Sequence, residues 1–340
     1  MAHVAASEAL KKEVPRYASI DEVLGDSRGR FFGAGFRQVR QNILDVRIDA
    51  RAKTVHASTH IVYPPTWSKK NRALQPHLSS IDAFMVGSQL CEMYLREAYG
   101  IGARASRQMW IRRCVLKAGN VPTLELEAVP ALCTLLKTER SEDSLCGYLS
   151  SFTGRIGSMG VEFVIDHPLI DAKDGVTVQY ENATDLLGPP SQRYYGSAYT
   201  ETSVLMQDVE LDPVANSARS RLGLENPSQL QNLEGMGAAY VPFVSALNGI
   251  ISVAQLSQAL MYHYDGISRE ASNNLWMRKI VISSPLPVTP SRSMRVETWC
   301  NKTSLLPIKD TLWRSSSFIV VLPGHYGEYS LAHQLPSDSQ

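Results

Sequence analysis

The sequence contains an internal duplication, and this feature limits the folds that the chain can adopt. RFFGAGFRQVRQNILDVRID begins at Arg30, and RYYGSAYTETSVLMQDVELD begins at Arg193, an offset of 163 residues. At an offset of 166, further identical pairs continue toward the C-terminus: Pro76/Pro242, Gln89/Gln255, Trp110/Trp276, Arg112/Arg278 and His167/His333. A short insertion in a loop explains the change of offset, because loops tolerate insertions. A chance similarity would not keep the two segments in register over this length. The sequence therefore predicts two copies of a unit of about 140 residues.

Each copy contains a long apolar helix between strand-like segments. The first helix, SSIDAFMVGSQLCEMYLREAYG, ends at Gly100, and the second, SALNGIISVAQLSQALMYHYDG, ends at Gly266. The first has apolar residues at a mostly helical spacing of about 3.6 residues, and the second is apolar on most faces, which predicts that other structure wraps it. Strands are predicted at residues 38–48, 107–117, 123–136 and 147–166, and again at 202–211, 273–283, 293–301 and 311–322. The copies differ before the helix, where TVHASTHIVYPP alternates like a strand and DPVANSARSRLGLENPSQLQNLEGMG is polar and predicted to be a loop.

A buried helix followed by long antiparallel strands is an α+β unit in which a curved sheet wraps the helix, the hotdog pattern. Two units predict a double hotdog whose sheets join edge to edge and protect each other's edge strands. The predicted organisation is an N-terminal arm (1–29), a first unit (30–170), a linker (171–192) and a second unit (193–340).

The charge and cysteine content exclude several classes of partner and site. The net charge is +1, from 34 basic and 33 acidic residues, so no strong field recruits nucleic acid or an anionic membrane. The five cysteines show no CxxC spacing and are typical of reduced core thiols. The N-terminus has no apolar signal segment, and no long apolar run occurs. These features predict a cytoplasmic protein, with no cofactor and a small or locally recognised partner.

The two helix entrances, meaning the N-terminal ends of the long helices, differ in their ionisable residues. The first has His77 and Asp82, where the second has Phe243 and Asn248. If only one active site survives, His77 and Asp82 are its candidate catalytic residues, since backbone N–H groups at a helix N-terminus also polarise a carbonyl oxygen. Alternatively, Ser79 and Asp82 form a capping box, which explains the aspartate without catalysis.

The remaining candidates are substrate-binding residues. Six are predicted: Gln89, Glu92, Asn248, Gln255, Arg112 and Arg278. Gln89 lies two turns from the entrance and could bind a keto oxygen, while Glu92 is alternatively a solvent-facing residue. The two arginines could bind a phosphate or serve in structural ion pairs. His56 and His60 share a strand face but lack a third ligand, so no metal site is predicted.

The segments SIDEVLGDSRGRFFGAGF and PHLSSIDAFMVGSQL resemble the bacterial avirulence D family, and the resemblance extends from about Tyr17 to the C-terminus. That family is associated with syringolides, acylated elicitors built from a β-ketoacyl group and a pentulose, and is similar to hotdog γ-butyrolactone synthases. The resemblance implies transfer of a β-ketoacyl group from a carrier-protein or coenzyme A thioester to a polyol. The alternatives are a hotdog thioesterase or dehydratase, and a non-catalytic protein that binds acyl ligands.

Overall fold

The computed structural model describes residues 14–68, 74–169, 173, 175–225, 230–272, 274–308 and 310–335. The helices are α1 (Ile20–Leu24), α2 (Ser80–Ala98), α3 (Ala103–Ser106), α4 (Ala183–Leu187) and α5 (Ala246–Asp265). The strands of the first half are β1 (Arg16–Ser19), β2 (Arg40–Asp49), β3 (Thr54–Val62), β4 (Trp110–Lys117), β5 (Val129–Arg140), β6 (Tyr148–Ile156) and β7 (Met159–His167). Those of the second half are β8 (Thr177–Asn182), β9 (Ser203–Asp212), β10 (Ser217–Glu225), β11 (Leu275–Ser283), β12 (Arg295–Ile308), β13 (Thr311–Leu322) and β14 (His325–Gln334).

All these strands belong to one antiparallel sheet. Its order is β1-β9-β10-β12-β13-β14-β11-β4-β7-β6-β5-β3-β2-β8. Helix α2 packs against β2 to β7, and α5 packs against β9 to β14. The centre of the sheet is the pairing of β11 with β4, in which Lys279–Ser283 align with Lys117–Arg113. The predicted α+β class, with a large antiparallel sheet and buried long helices, is confirmed, while the division into tandem hotdog units stays a prediction.

Both long helices are buried along most of their length. Each begins with a capping box, formed by Ser79 with Asp82 in α2 and by Ser245 with Asn248 in α5. Helix α5 ends at Gly266, whose φ of 65° is left-handed and favours glycine. The capping alternative for Asp82 is therefore present in the structure.

Several strand predictions needed correction. The predicted strand 147–166 is two strands, β6 and β7, because Gly157 adopts a φ of +54° and makes the turn between them. The polar segment of the second copy is not a loop throughout, since it contains β10. There Ala218, Ser220 and Leu222 are buried in alternation. Serine on the inner face conceals the apolar alternation that the prediction relied on. Strand β14 was missed.

The structure extends the duplication upstream of Arg30. Helix α1 begins at Ile20 and α4 at Ala183, the same offset of 163 residues, and each follows a short strand. The two copies also require glycine at the same position of the repeated motif, for the same steric reason. A Cβ on Gly33 would lie 2.3 Å from the Ser27 carbonyl oxygen, and one on Gly196 would lie 2.4 Å from that of Pro190. Only glycine fits where the backbone approaches itself so closely.

The segments that precede the two copies cross over. Strand β1 pairs with β9, and α1 packs against α5, so the N-terminal segment joins the second half of the sheet. Conversely, β8 pairs with β2, and α4 packs against α2. The predicted arm and linker therefore include these elements, while residues 1–13, 170–172 and 174 lie outside the described part. Each copy is completed by the segment that precedes the other.

A buried histidine predicts a pH dependence of stability. His325 is 3% exposed, and burial lowers its pKa from 6.5 to about 4, although Nδ1 donates to the Pro323 carbonyl. The unfolded chain therefore binds more protons between these pH values, and stability falls as the pH drops from 6.5 toward 4. We expect His325 to contribute a loss on the order of 2 kcal/mol at pH 5.

The matched variant is His325→Met, which takes the residue of the first copy, Met159. Urea denaturation at pH 7 and pH 5 should show a smaller loss for the variant than for the original chain. Burial also lowers the pKa of His167, so part of the pH dependence remains in the variant. Equal losses in the two proteins would contradict the role of His325.

Candidate functional site

The candidate site is a cavity at the place where β4 and β11 separate. The last contact between these strands is the hydrogen bond from Ala118 N–H to the Arg278 carbonyl, at 3.0 Å. Beyond it, residues 275–278 of β11 face the loop 118–122 without a strand between them. The gap opens into a cavity of about 620 Å³, within the usual size range of small-molecule sites. We call it the seam cavity.

The seam cavity is lined from both halves of the chain. The first half contributes the entrance of α2, with His77, Leu78, Ser79 and Ser80. The second half contributes strand residues and Gln258 of α5. Most of the wall is apolar, and these side chains provide it: Phe31, Phe32, Val121, Met159, Leu275, Met277, Leu306, Ile308 and Trp313. An apolar wall with a few polar groups is typical of a site for an amphipathic ligand.

The corresponding place at the α5 entrance is filled. There Phe243 packs on Trp110 with ring centroids 5.2 Å apart, and the two residues are 3% and 1% exposed. Tyr194 packs on Phe243 at 4.6 Å. At the α2 entrance, the equivalent rings of His77 and Trp276 are in contact with centroids 5.3 Å apart, but this ring pair lines the cavity. The two copies thus share a scaffold, and the α2 entrance is the open one.

At the α2 entrance and on strands β13 and β14, polar lining residues replace apolar ones. Four lining residues of these elements are polar while their equivalents in the other copy are apolar: His77 for Phe243, Ser80 for Ala246, Ser315 for Leu149, and Tyr329 for Phe163. Because both copies build the same scaffold, packing alone does not require these polar groups. Their position indicates that they serve a ligand.

The ring of His77 has a defined proton position. Its Nδ1 lies 3.2 Å from the Gln75 carbonyl oxygen, and a carbonyl only accepts, so Nδ1 carries the proton. Nε2 is then the unprotonated nitrogen of the neutral ring, and it makes no hydrogen bond with the described residues. A half-buried imidazole that lines a cavity with a free Nε2 can accept a proton from a bound hydroxyl.

Asp82 lies behind the cavity wall. Its side chain is fully buried, and its carboxylate accepts hydrogen bonds from Gln41 Nε2 at 2.7 Å, from Ser79 N–H at 3.0 Å, and from the Ser79 hydroxyl at 2.6 Å. The Tyr63 hydroxyl also donates to it. Burial and the adjacent carboxylate raise the pKa of Tyr63, so this donor stays protonated. Asp82 meets the cavity only through Ser79, which lines it.

Gln89 and Gln255 form equivalent contacts with buried arginines. Arg193 donates to Gln89 Oε1 at 3.0 Å, and Arg30 donates to Gln255 Oε1 at 2.6 Å. These bonds tie the first residue of each copy to the long helix of the other. Neither glutamine lines the seam cavity.

Glu92 and Asn248 are also placed away from the seam cavity. Glu92 is 1% exposed and accepts a bond from Met236 N–H at 3.1 Å. Burial raises the pKa of this carboxyl, against the opposing effect of Arg193 and Arg96. The solvent-facing alternative for Glu92 was therefore wrong. Asn248 Oδ1 accepts from Ser245 N–H at 2.8 Å as part of its capping box.

The two equivalent arginines have different surroundings. Arg112 Nη1 lies 3.1 Å from the fully buried carboxylate of Asp166 and also donates to the Asp143 carbonyl. The residue equivalent to Asp166 is Ala332, which lines the cavity beside Arg278. The exposed side chain of Arg278 makes no ion pair or hydrogen bond within the described part of the chain. Arg278 can therefore offer its charge to an anionic group at the cavity.

The polar lining residues that sequence reasoning missed include Gln258, Ser315 and Tyr329. The signal was available, since the offset of 166 residues pairs Tyr329 with Phe163 and Ser315 with Leu149. The search for candidate residues that differ between the copies had covered only the long helices and their entrances. Extended to the strands, it would have identified both residues.

The fold and cavity define an α+β protein with two buried helices on one large antiparallel sheet and a ligand-sized cavity at its centre. Residues 15–336 match the sequence profile of the Pseudomonas avirulence D protein (AvrD) family. The chain belongs to this family. A search of curated proteins found no match. No helix among the described residues has the length and hydropathy needed to span a membrane.

Solved structures with related folds come from several bacteria. A putative thioesterase from Novosphingobium aromaticivorans is 10% identical with a TM-score of 0.40, and the match covers 86% of this chain and 98% of that one. A Mycobacterium tuberculosis protein described as a double hotdog fold is 9% identical with a TM-score of 0.40, with 94% of each chain covered. An acyl-ACP thioesterase from Bacteroides thetaiotaomicron is 8% identical with a TM-score of 0.39, covering 76% and 92%.

Proposed function

We propose that this protein is a double hotdog enzyme that transfers a β-ketoacyl group from a carrier-protein or coenzyme A thioester to the hydroxyl of a small polyol. The single observation that carries the proposal is the seam cavity, open at the α2 entrance and lined by His77, while the equivalent place at α5 is filled. Family membership supplies the substrate class, since avirulence D proteins are associated with acylated elicitors. Ring closure of the ester would follow transfer.

In the proposed reaction, the thioester carbonyl lies at the entrance of α2. The Ser80 N–H has no intrahelical partner at this position, and the helix dipole favours negative charge on the carbonyl oxygen. The acceptor hydroxyl attacks the carbonyl carbon and gives its proton to His77 Nε2. The C–O bond forms, the C–S bond breaks, and the thiolate leaves with the proton that His77 returns. No cofactor is required for these steps.

Arg278 is the proposed binding residue for an anionic part of a substrate, such as the phosphate of a pantetheine arm. A guanidinium provides a planar set of donors that suits phosphate. Arg112 already binds Asp166, and its proposed role is structural. Gln89, Glu92, Asn248 and Gln255 are proposed to support the helices, because their partners are protein groups.

The proposal is tested by incubating the purified protein with a β-ketoacyl thioester and pentulose or triose acceptors. Mass spectrometry of the products distinguishes the reactions that this fold could support. An acylated acceptor supports transfer. Free acid identifies a thioesterase, an enoyl thioester from a β-hydroxyacyl substrate identifies a dehydratase, and saturable binding without turnover identifies an acyl-binding protein. The absence of acylated product with every acceptor would reject the transferase.

Asp82→Asn separates catalysis by Asp82 from its role as a cap. The asparagine oxygen can keep the bonds from Ser79 and Tyr63, and Gln41 can turn its amide to accept from the new NH₂ group. We expect stability to change by about 1 kcal/mol or less, and turnover to stay within about ten-fold because His77 takes the proton. Thermal melting and turnover measure these effects. A loss of a hundred-fold or more with an unchanged melt would instead make Asp82 the base.

A further inference from the structure

We propose that Tyr329 and Gln258 bind an oxygen atom on the acyl chain, so that the site selects acyl groups with a keto or hydroxyl substituent near the thioester. This inference rests on the proposed function and names the residues that would set its specificity. Both residues line the seam cavity. Neither was a candidate from sequence.

The pairing of the strands places Tyr329 on the helix side of the sheet. On β14, Tyr329, Leu331 and His333 are buried in alternation. Met277 and Leu275 of β11 are opposite Leu331 and His333, and opposite residues in an antiparallel pair share a face. Gln258 reaches the same side from α5, which packs against β11 and β14. The side chains that β11 and β14 contribute to this inner part are therefore apolar apart from Tyr329, and Gln258 adds a second polar side chain.

The opposite face of the same strands carries a different set of residues. Trp276 is opposite Ala332, and Ser315 is also opposite Ala332 on the other neighbouring strand. The His77 ring contacts Trp276, so the proposed base lies on this outer side. A ligand that crosses the gap would present its reacting carbonyl near the α2 entrance and extend its chain inward. Tyr329 and Gln258 would then contact the acyl chain of the thioester and not the polyol acceptor.

Tyr329 lacks a partner that its hydroxyl requires. The residue is 1% exposed, and the hydroxyl makes no hydrogen bond in the described part of the chain. Gln258 likewise has no side-chain hydrogen bond to the described residues. A buried polar group without a partner is unfavourable. The fold does not need the hydroxyl, because Phe163 occupies the equivalent place in the other copy.

An oxygen atom on a bound acyl chain would give the Tyr329 hydroxyl a hydrogen-bond partner. Burial raises the pKa of Tyr329, so its hydroxyl stays protonated and available as a donor. A keto oxygen accepts from the hydroxyl and from the Gln258 amide, and a hydroxyl substituent can do the same. An unsubstituted acyl chain fills the space but leaves both groups unpaired. The site therefore favours an oxygenated chain.

The test is isothermal titration calorimetry of 3-oxooctanoyl, 3-hydroxyoctanoyl and octanoyl coenzyme A, without an acceptor. We expect the original chain to bind at least one oxygenated thioester about 3- to 10-fold more tightly than the octanoyl thioester. Tyr329→Phe should remove this preference by weakening only the oxygenated ligands. Gln258→Leu should reduce it. Tyr326→Phe is the matched control, because Tyr326 is on the same strand and 57% exposed.

The outcomes separate this inference from the proposed function. A preference that is lost in Tyr329→Phe and kept in Tyr326→Phe supports the inference, and comparison of the two oxygenated ligands shows which substituent is selected. Equal binding of all three thioesters, or a preference retained by Tyr329→Phe with an unchanged melt, would overturn the inference and leave the function standing. If no thioester binds to the original chain, both fail.

Discussion

His77→Phe is expected to abolish acyl transfer while the protein stays folded. The variant gives the α2 entrance the residue that the α5 entrance already has in Phe243, where the ring packs on a tryptophan at nearly the same distance. Stability should therefore change by no more than about 1 kcal/mol. Turnover should fall by about a hundred-fold to ten-thousand-fold, the usual effect of losing a general base. The measurements are thermal melting and initial rates with saturating substrates.

Two controls define the meaning of this result. His56→Phe makes the same change at an exposed histidine of β3, outside the seam cavity, and should leave turnover unaffected. His77→Gln keeps a polar side chain that cannot take up a proton at neutral pH, and it should be as inactive as the phenylalanine variant. If His77→Phe retained turnover within ten-fold of the original chain, His77 would not be the base.

Arg112→Met is expected to lower the free energy of unfolding by about 3 kcal/mol. The reason is that Asp166 stays fully buried and loses the cation that lies 3.1 Å from it. The remaining donors to this carboxylate, the Ser144 hydroxyl and two backbone N–H groups, do not carry a charge. Urea denaturation measures the change as a lower midpoint at an unchanged slope.

Arg278→Met is the matched variant at the equivalent position of the second copy. The exposed guanidinium of Arg278 has no carboxylate beside it, because Ala332 replaces the aspartate. Its removal should change stability by about 0.5 kcal/mol or less but should raise the KM for a phosphate-bearing thioester. A thioester of pantetheine without phosphate should show no such change. Equal destabilisation by the two arginine variants would contradict the difference in their surroundings.

Local signals in the sequence predicted the helices well. The apolar spacing and terminal glycines gave α2 and α5 to within about two residues, and Ser79 with Asp82 gave the capping box. These features depend on neighbouring residues, which a single sequence displays. Strand β10 was not predicted, because a serine occupies an inward-facing position that is usually apolar. Strand β14 was not predicted either, because its sequence was not recognised as a strand separate from β13.

The site was harder to predict, because it depends on contacts between distant segments. His77 and Arg278 were proposed from the comparison of the copies, and both line the seam cavity. The surroundings of Gln89 were not predictable in the same way, since its partner Arg193 is 104 residues away in sequence. Only the folded structure shows that the Gln89 side chain is hydrogen-bonded, whereas the Tyr329 hydroxyl has no hydrogen-bond partner among the described residues.

The crossing of the N-terminal segment sets an order of events during synthesis on the ribosome. Strand β1 and helix α1 leave the ribosome before their partners, β9 and α5, which lie about 190 to 240 residues further along the chain. At ordinary rates of translation this separation corresponds to about 10 to 50 s. The apolar face of α1, with Ile20 and Leu24, lacks its native partners α5 and β9 during this time. In a nascent chain of this architecture, the β1–α1 segment can therefore dock only after β9 and α5 have been synthesised.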